Sequence, residues 1–248
     1  MEKGGLTWYF ITASYAFGHQ LQKDTTAFIE EAGGRVLGAS TYPYPETSDF
    51  SQLLLKARAS GANVLGLANH TADTQNCIKQ AAEFGLTPKI KVAALLMFLS
   101  DVHAIGPKAA QGLALTESFY WDLNDRTRAF TRRVLPKTPN NYPNMSHAGC
   151  YAGTLQYLKA VADLGVTAAK PDGRALVERM KAMQPNDDCF GATTIREDGR
   201  VLVAANLFEV KKSSESGGEW DLYKLLVSMP GEKAFRPLSD GGCPFVKA

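Results

Sequence analysis

The 248-residue sequence has few cysteines, almost no net charge and no long apolar run, and each shortage excludes a class of protein. A formal charge of +2 gives no reason to expect a nucleic acid or an acidic membrane surface as partner. No apolar stretch approaches the roughly 18 residues of a membrane span, and the opening MEKGGLTW lacks the basic-then-apolar pattern of an export signal. With 45% hydrophobic and 21% charged residues, the chain is nevertheless predicted to fold as a globular protein.

The cysteines are scattered, and none forms a C-x-x-C pair, so zinc and redox motifs are unsupported. Cys77 and Cys150 lie in helical patterns and are predicted to be small buried residues. Cys189 and Cys243 lie in loop-like segments, and a disulfide between them is left open.

Glycine fingerprints and catalytic motifs are also missing. The sequence contains no G-x-G-x-x-G, G-x-x-x-x-G-K-[ST], G-x-S-x-G or H-E-x-x-H, which argues against a dinucleotide enzyme and the common hydrolases. His147 with Cys150 would need a third residue to orient a thiol–imidazole pair, and Asp101 with His103 would need a third metal ligand. The sequence therefore predicts no catalysis, no metal and no cofactor.

What the first half does contain is a regular alternation of apolar runs and amphipathic helical patterns. Gly33, Gly61 and Gly85 end the helical patterns, and Thr47 or Ser48 is predicted to cap the second helix. This β-α-β order predicts an α/β fold, a parallel sheet with helices on both faces. The predicted strands are Trp8–Thr12, Arg35–Thr41, Asn63–Asn69, Lys91–Phe98 and Gly112–Tyr120.

After Trp121 the pattern becomes helical, and a hairpin is predicted around Asp198-Gly199, followed by one more strand in WDLYKLLVSMPG. Apolar helices of this kind normally cover a sheet, and the earlier sequence supplies no second sheet for them. The chain is therefore predicted to be incomplete. The side chains predicted to form the apolar faces of these helices are Phe130, Tyr151, Leu155, Leu158, Ala162, Leu176, Val177 and Met180.

Ligands of open parallel sheets bind where the carboxyl ends of the strands meet. The loops predicted there, including ASYAFG, YPYPETSD, ANHTAD and MFLSDVH, are rich in aromatic rings and hydroxyl groups and include imidazoles, which suits a small organic molecule better than a phosphate. For each candidate residue, a packing role is the alternative to ligand binding. Phe17, Met97 and Phe98 would then belong to the core, His70 would lie at a helix entry, and Tyr120 would pack at the crossover. The candidate ligand-binding residues are Tyr15, Phe17, His70, Thr71, Met97, Phe98 and Tyr120.

The succession SYAFGHQ, TSDF, GANVLGL, AAEFGL and GLALTESFY resembles the second lobe of type I periplasmic solute-binding proteins, in the branched-chain amino acid receptor group of ABC importers. The resemblance implies a parallel-sheet lobe flanked by helices at residues 1–121, helices returning to lobe one at 122–190, and a returning hairpin, strand and tail at 191–248. The first half of lobe one would be missing. It also implies a periplasmic location, a small carboxylate ligand and an ABC permease as partner. A sensor domain or an enzyme on the same fold is the alternative.

The resemblance places the family's ligand-contacting aromatic at Phe17, beside Tyr15, and the loop after the third strand at His70 and Thr71. Where the family often carries an acid that pairs with a ligand ammonium, this sequence has Met97 or Phe98. An aromatic acid without an ammonium group is therefore favoured over an amino acid. Because the helices after Trp121 lack a sheet, a homo-oligomer is also predicted.

Overall fold

A computed structural model describes residues 6–45, 47–87, 89–139, 141–244 and 246. The chain forms two compact units. Unit 1 comprises Met1–Thr116 and Leu207–Leu226, and unit 2 comprises Glu117–Asn206 and Val227–Ala248.

The strands of the described residues are short to medium in length. In chain order they are β1 (Thr7–Ala13), β2 (Arg35–Tyr42), β3 (Val64–Ala68), β4 (Lys91–Ala94), β5 (Ala114–Glu117), β6 (Asn186–Asp187), β7 (Gly191–Ala192), β8 (Thr194–Ile195), β9 (Val201–Leu202), β10 (Ala205–Val210) and β11 (Tyr223–Met229).

The helices connect the strands of unit 1 and make up much of unit 2. In chain order they are α1 (Ala16–Glu31), α2 (Ser51–Ala59), α3 (Thr71–Glu83), α4 (Leu99–Ile105), α5 (Pro107–Ala110), α6 (Asp125–Val134), α7 (Met145–Leu164), α8 (Val166–Ala169), α9 (Gly173–Ala182) and α10 (Gly231–Ala234), with short 3-10 turns at Leu135–Lys137 and Leu238–Gly241. Among the helices of the described residues, none combines the length and apolar character that crossing a membrane requires.

The main sheet has seven strands in the order β11-β10-β5-β4-β3-β1-β2. The pairs β1–β2, β1–β3, β3–β4 and β4–β5 are parallel, with β1 in the centre of the first three strands. Apolar side chains of these strands, such as Phe10, Ile11, Leu65 and Leu67, are fully buried. The predicted α/β fold with a parallel sheet is thus confirmed.

Two local predictions in unit 1 are wrong. The fourth strand ends at Ala94 instead of Phe98, because the backbone N–H of Phe98 donates to the Asp101 carboxylate (3.0 Å) and the chain turns into α4. Neither Thr47 nor Ser48 caps α2. The Ser51 N–H donates instead to the side chain of Asp49 (2.9 Å).

Unit 2 buries much of the apolar surface that was predicted to lack a partner. Phe130 is 2% exposed and packs in a cluster with Phe119, Ala148 and Cys189. Leu176 is 6% exposed and packs with Ala160 and Ala169. The prediction that Phe130 and Leu176 need an additional sheet is therefore wrong, because the helices of unit 2 cover each other.

The buried face of α7 also differs from the predicted stripe. Ala148, Gln156 and Ala160 are buried, whereas Leu158 is 54% exposed. A small-residue face lets α7 approach its neighbours closely, and the Gln156 side chain donates to the carbonyl oxygens of Met180 (3.1 Å) and Met183. In α9, Val177 is likewise exposed, and the exposure of Leu158 and Val177 agrees with the prediction that these helix faces lack a sheet to cover.

The hairpin is confirmed: β8 and β9 pair antiparallel around Asp198-Gly199, and Gly199 has the positive φ of 85° that its turn requires. Cys77 is buried as predicted, but Cys150 is exposed, so that prediction is wrong. Cys189 and Cys243 are both free thiols in the structure.

Candidate functional site

Three aromatic side chains and one histidine gather at the carboxyl ends of β1, β2 and β3. Tyr15 and Phe17 follow β1, Tyr44 follows β2, and His70 follows β3. These strands are adjacent and parallel, so their carboxyl ends share one edge of the sheet. We call Tyr15, Phe17, Tyr44 and His70 the aromatic cluster.

Tyr15 lies at the centre of the aromatic cluster. Its ring stacks on Tyr44 with centroids 4.8 Å apart and contacts Phe17 at 5.8 Å. The His70 ring lies 5.4 Å from Tyr44 and 5.6 Å from Phe17. The four rings therefore form one continuous set of contacts, some stacked and some edge-on, the geometry in which aromatic groups interact favourably.

Hydrogen bonds link residues of the aromatic cluster to each other and to Thr71. The Tyr15 hydroxyl and His70 Nε2 share a hydrogen bond of 2.7 Å, and His70 Nδ1 lies 3.0 Å from the Thr71 hydroxyl. Burial, with the nearby Tyr44 hydroxyl and Asp73 carboxylate, raises the pKa of the Tyr15 phenol above its ordinary value. Tyr15 therefore stays protonated at neutral pH and offers a hydroxyl beside an imidazole.

Two helices begin at the aromatic cluster. Tyr15 and His70 precede α1 and α3, both are extended, and neither side chain caps its helix. The first-turn N–H groups of an uncapped helix attract anions, aided by the positive end of the helix dipole. This edge of the sheet is therefore suited to a carboxylate as well as to an aromatic ring.

The position of Gly18, in the first turn of α1, has no room for a side chain. A Cβ at this position would lie 2.2 Å from the carbonyl oxygen of Ala13 and 3.0 Å from that of Ala68. The first turn of α1 therefore packs directly on the ends of β1 and β3.

A buried hydrogen bond between β2 and the first turn of α3 lies close to the aromatic cluster. The Tyr42 hydroxyl donates to the Asp73 carboxylate (2.7 Å), and both residues are buried. Burial and this hydrogen bond raise the pKa of Tyr42, so it remains a donor. Thr71 has a φ of 48°, a rare conformation for a β-branched residue, and it positions the start of α3.

Met97 and Phe98 follow β4 in the same unit. Met97 is only 1% exposed, and Phe98 is half-buried at the start of α4. The same loop does carry an acid, Asp101, but its carboxylate accepts from the Phe98 N–H (3.0 Å) and from the Gln75 side chain (2.8 Å). Asp101 is thereby engaged in holding the loop.

Tyr120 lies in unit 2, where it is 4% exposed and its ring packs against Trp121 with centroids 5.9 Å apart. Of the seven predicted residues, the structure brings Tyr15, Phe17, His70 and Thr71 into contact.

Sequence reasoning did not single out Tyr44 or Asp73. The YPYPETSD loop was placed at this edge, so the signal for Tyr44 was present in its aromatic residues. Asp73 stands inside a helical pattern, and nothing in the spacing indicates its contact with Tyr42 across 31 residues.

The two histidines considered above for a thiol–imidazole pair and for a metal pair, His147 and His103, contact other side chains. His147 Nδ1 lies 2.8 Å from the Asn144 side chain at the start of α7. His103 pairs with Glu219 (2.9 Å) and stacks on Trp220 at 3.9 Å.

An α/β unit that gathers aromatic rings at the carboxyl edge of a parallel sheet has the architecture of a small-molecule-binding lobe. Residues 1–218 match the family model described as periplasmic binding protein. The chain belongs to the periplasmic binding protein family, which confirms the resemblance seen in the sequence. No curated protein sequence matches the chain significantly.

Solved structures agree with this assignment. A periplasmic binding protein from Burkholderia mallei is 42% identical, with a TM-score of 0.90 over 99% of this chain and 64% of its own. A branched-chain amino acid ABC transporter periplasmic ligand-binding protein from Burkholderia xenovorans is 34% identical, with a TM-score of 0.82 over 98% and 64%. A solute-binding protein from Rhodopseudomonas palustris, in complex with 3,4-dihydroxybenzoic acid, shares the fold at 22% identity, with a TM-score of 0.73 over 93% and 62%. The chain thus spans 64% of the first two relatives.

Proposed function

We propose that this protein is part of the solute receptor of an ABC importer and that it binds a small aromatic carboxylate at the aromatic cluster. The observation that carries the proposal is the continuous surface of Tyr15, Phe17, Tyr44 and His70 beside two uncapped helix starts. In this role the protein works in the periplasm, delivers its ligand to an ABC permease and catalyses no reaction.

The aromatic cluster supplies both parts of such a ligand with a partner. The ring of the ligand stacks on Tyr15 or Tyr44, an interaction that contributes about 0.5–1.5 kcal/mol beyond the area it buries. Its carboxylate meets the N–H groups at the starts of α1 and α3. A ring hydroxyl, if present, pairs with the Thr71 or Tyr15 hydroxyl.

An amino acid would also need a partner for its ammonium group. Asp73 and Asp101 are the carboxylates described above near these loops, and both already accept hydrogen bonds within the protein. Asp73 accepts from the Tyr42 hydroxyl, and Asp101 accepts from the Phe98 N–H and the Gln75 side chain. Leaving an ammonium unpaired in a closed site is costly, so we expect discrimination against leucine, isoleucine and valine.

The relatives illustrate both ligand classes. The Rhodopseudomonas palustris neighbour holds 3,4-dihydroxybenzoic acid, whereas the Burkholderia xenovorans relative is named for branched-chain amino acids. Ligand chemistry is therefore decided by the site of each protein. In this chain, Met97 and Phe98 are proposed to form an apolar wall. The division into lobe-two residues 1–121, lobe-one helices 122–190 and returning segment 191–248 belongs to the same proposal.

A thermal-shift panel tests the ligand class. Ligand binding stabilises a protein by RT ln(1 + [L]/Kd), about 2.7 kcal/mol at a hundredfold excess over Kd. We expect benzoate and 4-hydroxybenzoate to raise Tm and leucine, isoleucine and valine to leave it unchanged. A clear shift with leucine and none with the aromatic acids would overturn the proposed ligand.

A matched pair of variants ties the effect to the aromatic cluster. Tyr44 is 40% exposed and stacks on Tyr15, so Tyr44→Ala should weaken binding about tenfold with little loss of stability. Tyr157 is 47% exposed on α7, and Tyr157→Ala should leave binding unchanged. Equal effects of the two substitutions would place the ligand elsewhere.

A further inference from the structure

The hydrogen bonds of His70 join three side chains at the aromatic cluster. The Tyr15 hydroxyl lies 2.7 Å from Nε2 of His70, and the Thr71 hydroxyl lies 3.0 Å from Nδ1. A neutral imidazole carries one proton, so one ring nitrogen donates and the other accepts. The direction of both hydrogen bonds is therefore decided by which nitrogen holds the proton. We call Tyr15, His70 and Thr71 the imidazole chain.

The two distances indicate the direction of the hydrogen bonds. A length of 2.7 Å is usual when a hydroxyl donates and short when a ring N–H donates, whereas 3.0 Å is usual for an N–H donor. A phenol is also a stronger hydrogen-bond donor than an aliphatic hydroxyl. The Tyr15 hydroxyl therefore donates to Nε2, the proton of the neutral His70 ring lies on Nδ1, and Nδ1–H donates to the Thr71 oxygen.

This direction leaves the hydrogen of the Thr71 hydroxyl available to a ligand. Thr71 is exposed, and its φ of 48° holds the residue in a rare backbone conformation beside His70. Among the described residues, His70 is the hydrogen-bond partner of its hydroxyl, and that bond uses the oxygen as acceptor. The neutral imidazole chain therefore offers a ligand one O–H donor, at Thr71.

Protonation of the His70 ring would add a second donor. With hydrogens on both nitrogens, Nε2 has to donate to the Tyr15 oxygen, and the hydrogen of that phenol is released. The imidazole chain would then offer two O–H donors and a positive charge. Histidine changes its charge between about pH 5 and 8, so this second state is accessible in mild acid.

The titratable groups on the elements around His70 differ from it in chemistry or in contacts. Carboxylates ordinarily titrate at about pH 4 and phenols at about pH 10, outside the range of histidine. Of the histidines, His19 is exposed on α1, and His103 on α4 pairs with Glu219. A change in affinity between about pH 5.5 and 8 therefore indicates a histidine. The other groups on these elements are the phenols of Tyr15 and Tyr44 and the carboxylates of Asp73 and Asp101.

We propose that the imidazole chain selects a ligand whose polar group accepts hydrogen bonds, with Thr71 as the donor, and that it binds a carboxylate more tightly when His70 is protonated. His70 and Tyr15 are positioning residues that direct the Thr71 hydroxyl outward. Because a carboxylate favours the protonated ring, the additional affinity is present at low pH and is lost as the pH rises. This inference rests on the proposed function and adds to it the donor and the pH dependence.

Calorimetric titration of the 248-residue chain with benzoate at about pH 5.5 and 8 tests the pH dependence. Benzoate has no ring hydroxyl, and carboxylic acids titrate at about pH 4, so it is ionised at both values. We expect binding about fivefold tighter at the lower pH, because charge-assisted hydrogen bonds are the stronger ones. His70→Gln should bind equally at both values. The matched control His19→Gln changes an exposed histidine and should keep the pH dependence of the wild type.

Two variants of Thr71 test the donor. Thr71→Val keeps the branched side chain but has no hydroxyl, and it should weaken benzoate binding about tenfold at the higher pH. Thr71→Ser restores the hydroxyl and should restore most of the affinity. Both variants should keep the circular dichroism spectrum of the wild type, because Thr71 is exposed. Equal binding by Thr71→Val and wild type would overturn the role of Thr71.

A nitrogen–proton correlation spectrum of the histidine rings tests the imidazole chain without any ligand. The ligand-free chain at the higher pH should show the proton of the neutral His70 ring on Nδ1, and a proton on Nε2 would overturn the inference. Benzoate that binds equally at both pH values would also overturn it and leave the proposed function standing. Absence of benzoate binding at both values would refute the proposed function, and the inference with it.

Discussion

Replacing Gly18 by alanine should destabilise unit 1 although the change adds only one methyl group. The added Cβ would meet the carbonyl oxygens of Ala13 at 2.2 Å and Ala68 at 3.0 Å. Both obstacles are backbone atoms, and the Ala13 oxygen already accepts the Tyr15 N–H at 2.8 Å. Neither can rotate away as a side chain would, so α1 has to lift from the sheet by roughly 1 Å.

The expected cost follows from two opposing terms. Overpacking of this kind costs about 3 kcal/mol, the upper part of its usual range. Alanine is the better helix former by about 0.5–1 kcal/mol, which offsets part of that cost. The net loss of about 2 kcal/mol lowers Tm by roughly 4–8 °C in a chain of this size.

Gly149 provides the matched control. It lies inside α7, and a Cβ there would have no heavy atom within 4 Å. Gly149→Ala should therefore raise stability by about 0.5–1 kcal/mol. Thermal melts followed by circular dichroism compare the two variants. An unchanged Tm for Gly18→Ala would show that α1 does not pack on the strand ends as described, and the position of the aromatic cluster would then be in doubt.

Two further predictions concern buried and paired carboxylates. Tyr42→Phe removes the hydroxyl that donates to the buried Asp73 carboxylate and should cost about 1.5–3 kcal/mol in urea unfolding, and a neutral result would show that Asp73 does not depend on it. For Asp188, burial raises the pKa, but the hydrogen bonds from Tyr151 and Arg133 outweigh it, so the folded pKa lies below the ordinary value. Its stabilisation is present above the unfolded pKa of about 3.9 and is lost as the pH falls through the folded pKa. Asp188→Asn should therefore lower Tm at pH 7, with the difference from wild type vanishing toward pH 2, and a difference independent of pH would contradict this account.

Apolar patterning predicted the sheet well because buried parallel strands leave little choice of residue. The runs at β1 and β3 are almost entirely apolar, and the structure buries every residue of Val64–Ala68. The ends of helices and strands were harder to predict from the sequence, since they depend on single hydrogen bonds. The end of β4 is decided by the Asp101 carboxylate, which competes for the Phe98 N–H.

The helices of unit 2 show a different limit. The large apolar residues Leu158 and Val177 lie outward, while Ala148 and Ala160 lie inward. The exposure of Leu158 and Val177 agrees with the expectation that this apolar helix surface has no sheet in the chain to cover it. Hydrophobicity alone did not indicate that Ala148 and Ala160 form the buried face. In the candidate site, residues directly after strands were found from the loop rule, but the Tyr42–Asp73 contact depends on how distant segments pack.

Nuclear magnetic resonance tests the central claim most directly, because it identifies the binding residues even at weak affinity. The chain is titrated with 4-hydroxybenzoate and, separately, with leucine, while the ring signals of Tyr15, Tyr44, His70 and Tyr157 are followed. The account predicts saturable shifts of the first three signals with 4-hydroxybenzoate, no shift of Tyr157 and no response to leucine. Saturable shifts of Tyr15, Tyr44 and His70 with leucine, or none with 4-hydroxybenzoate, would contradict it.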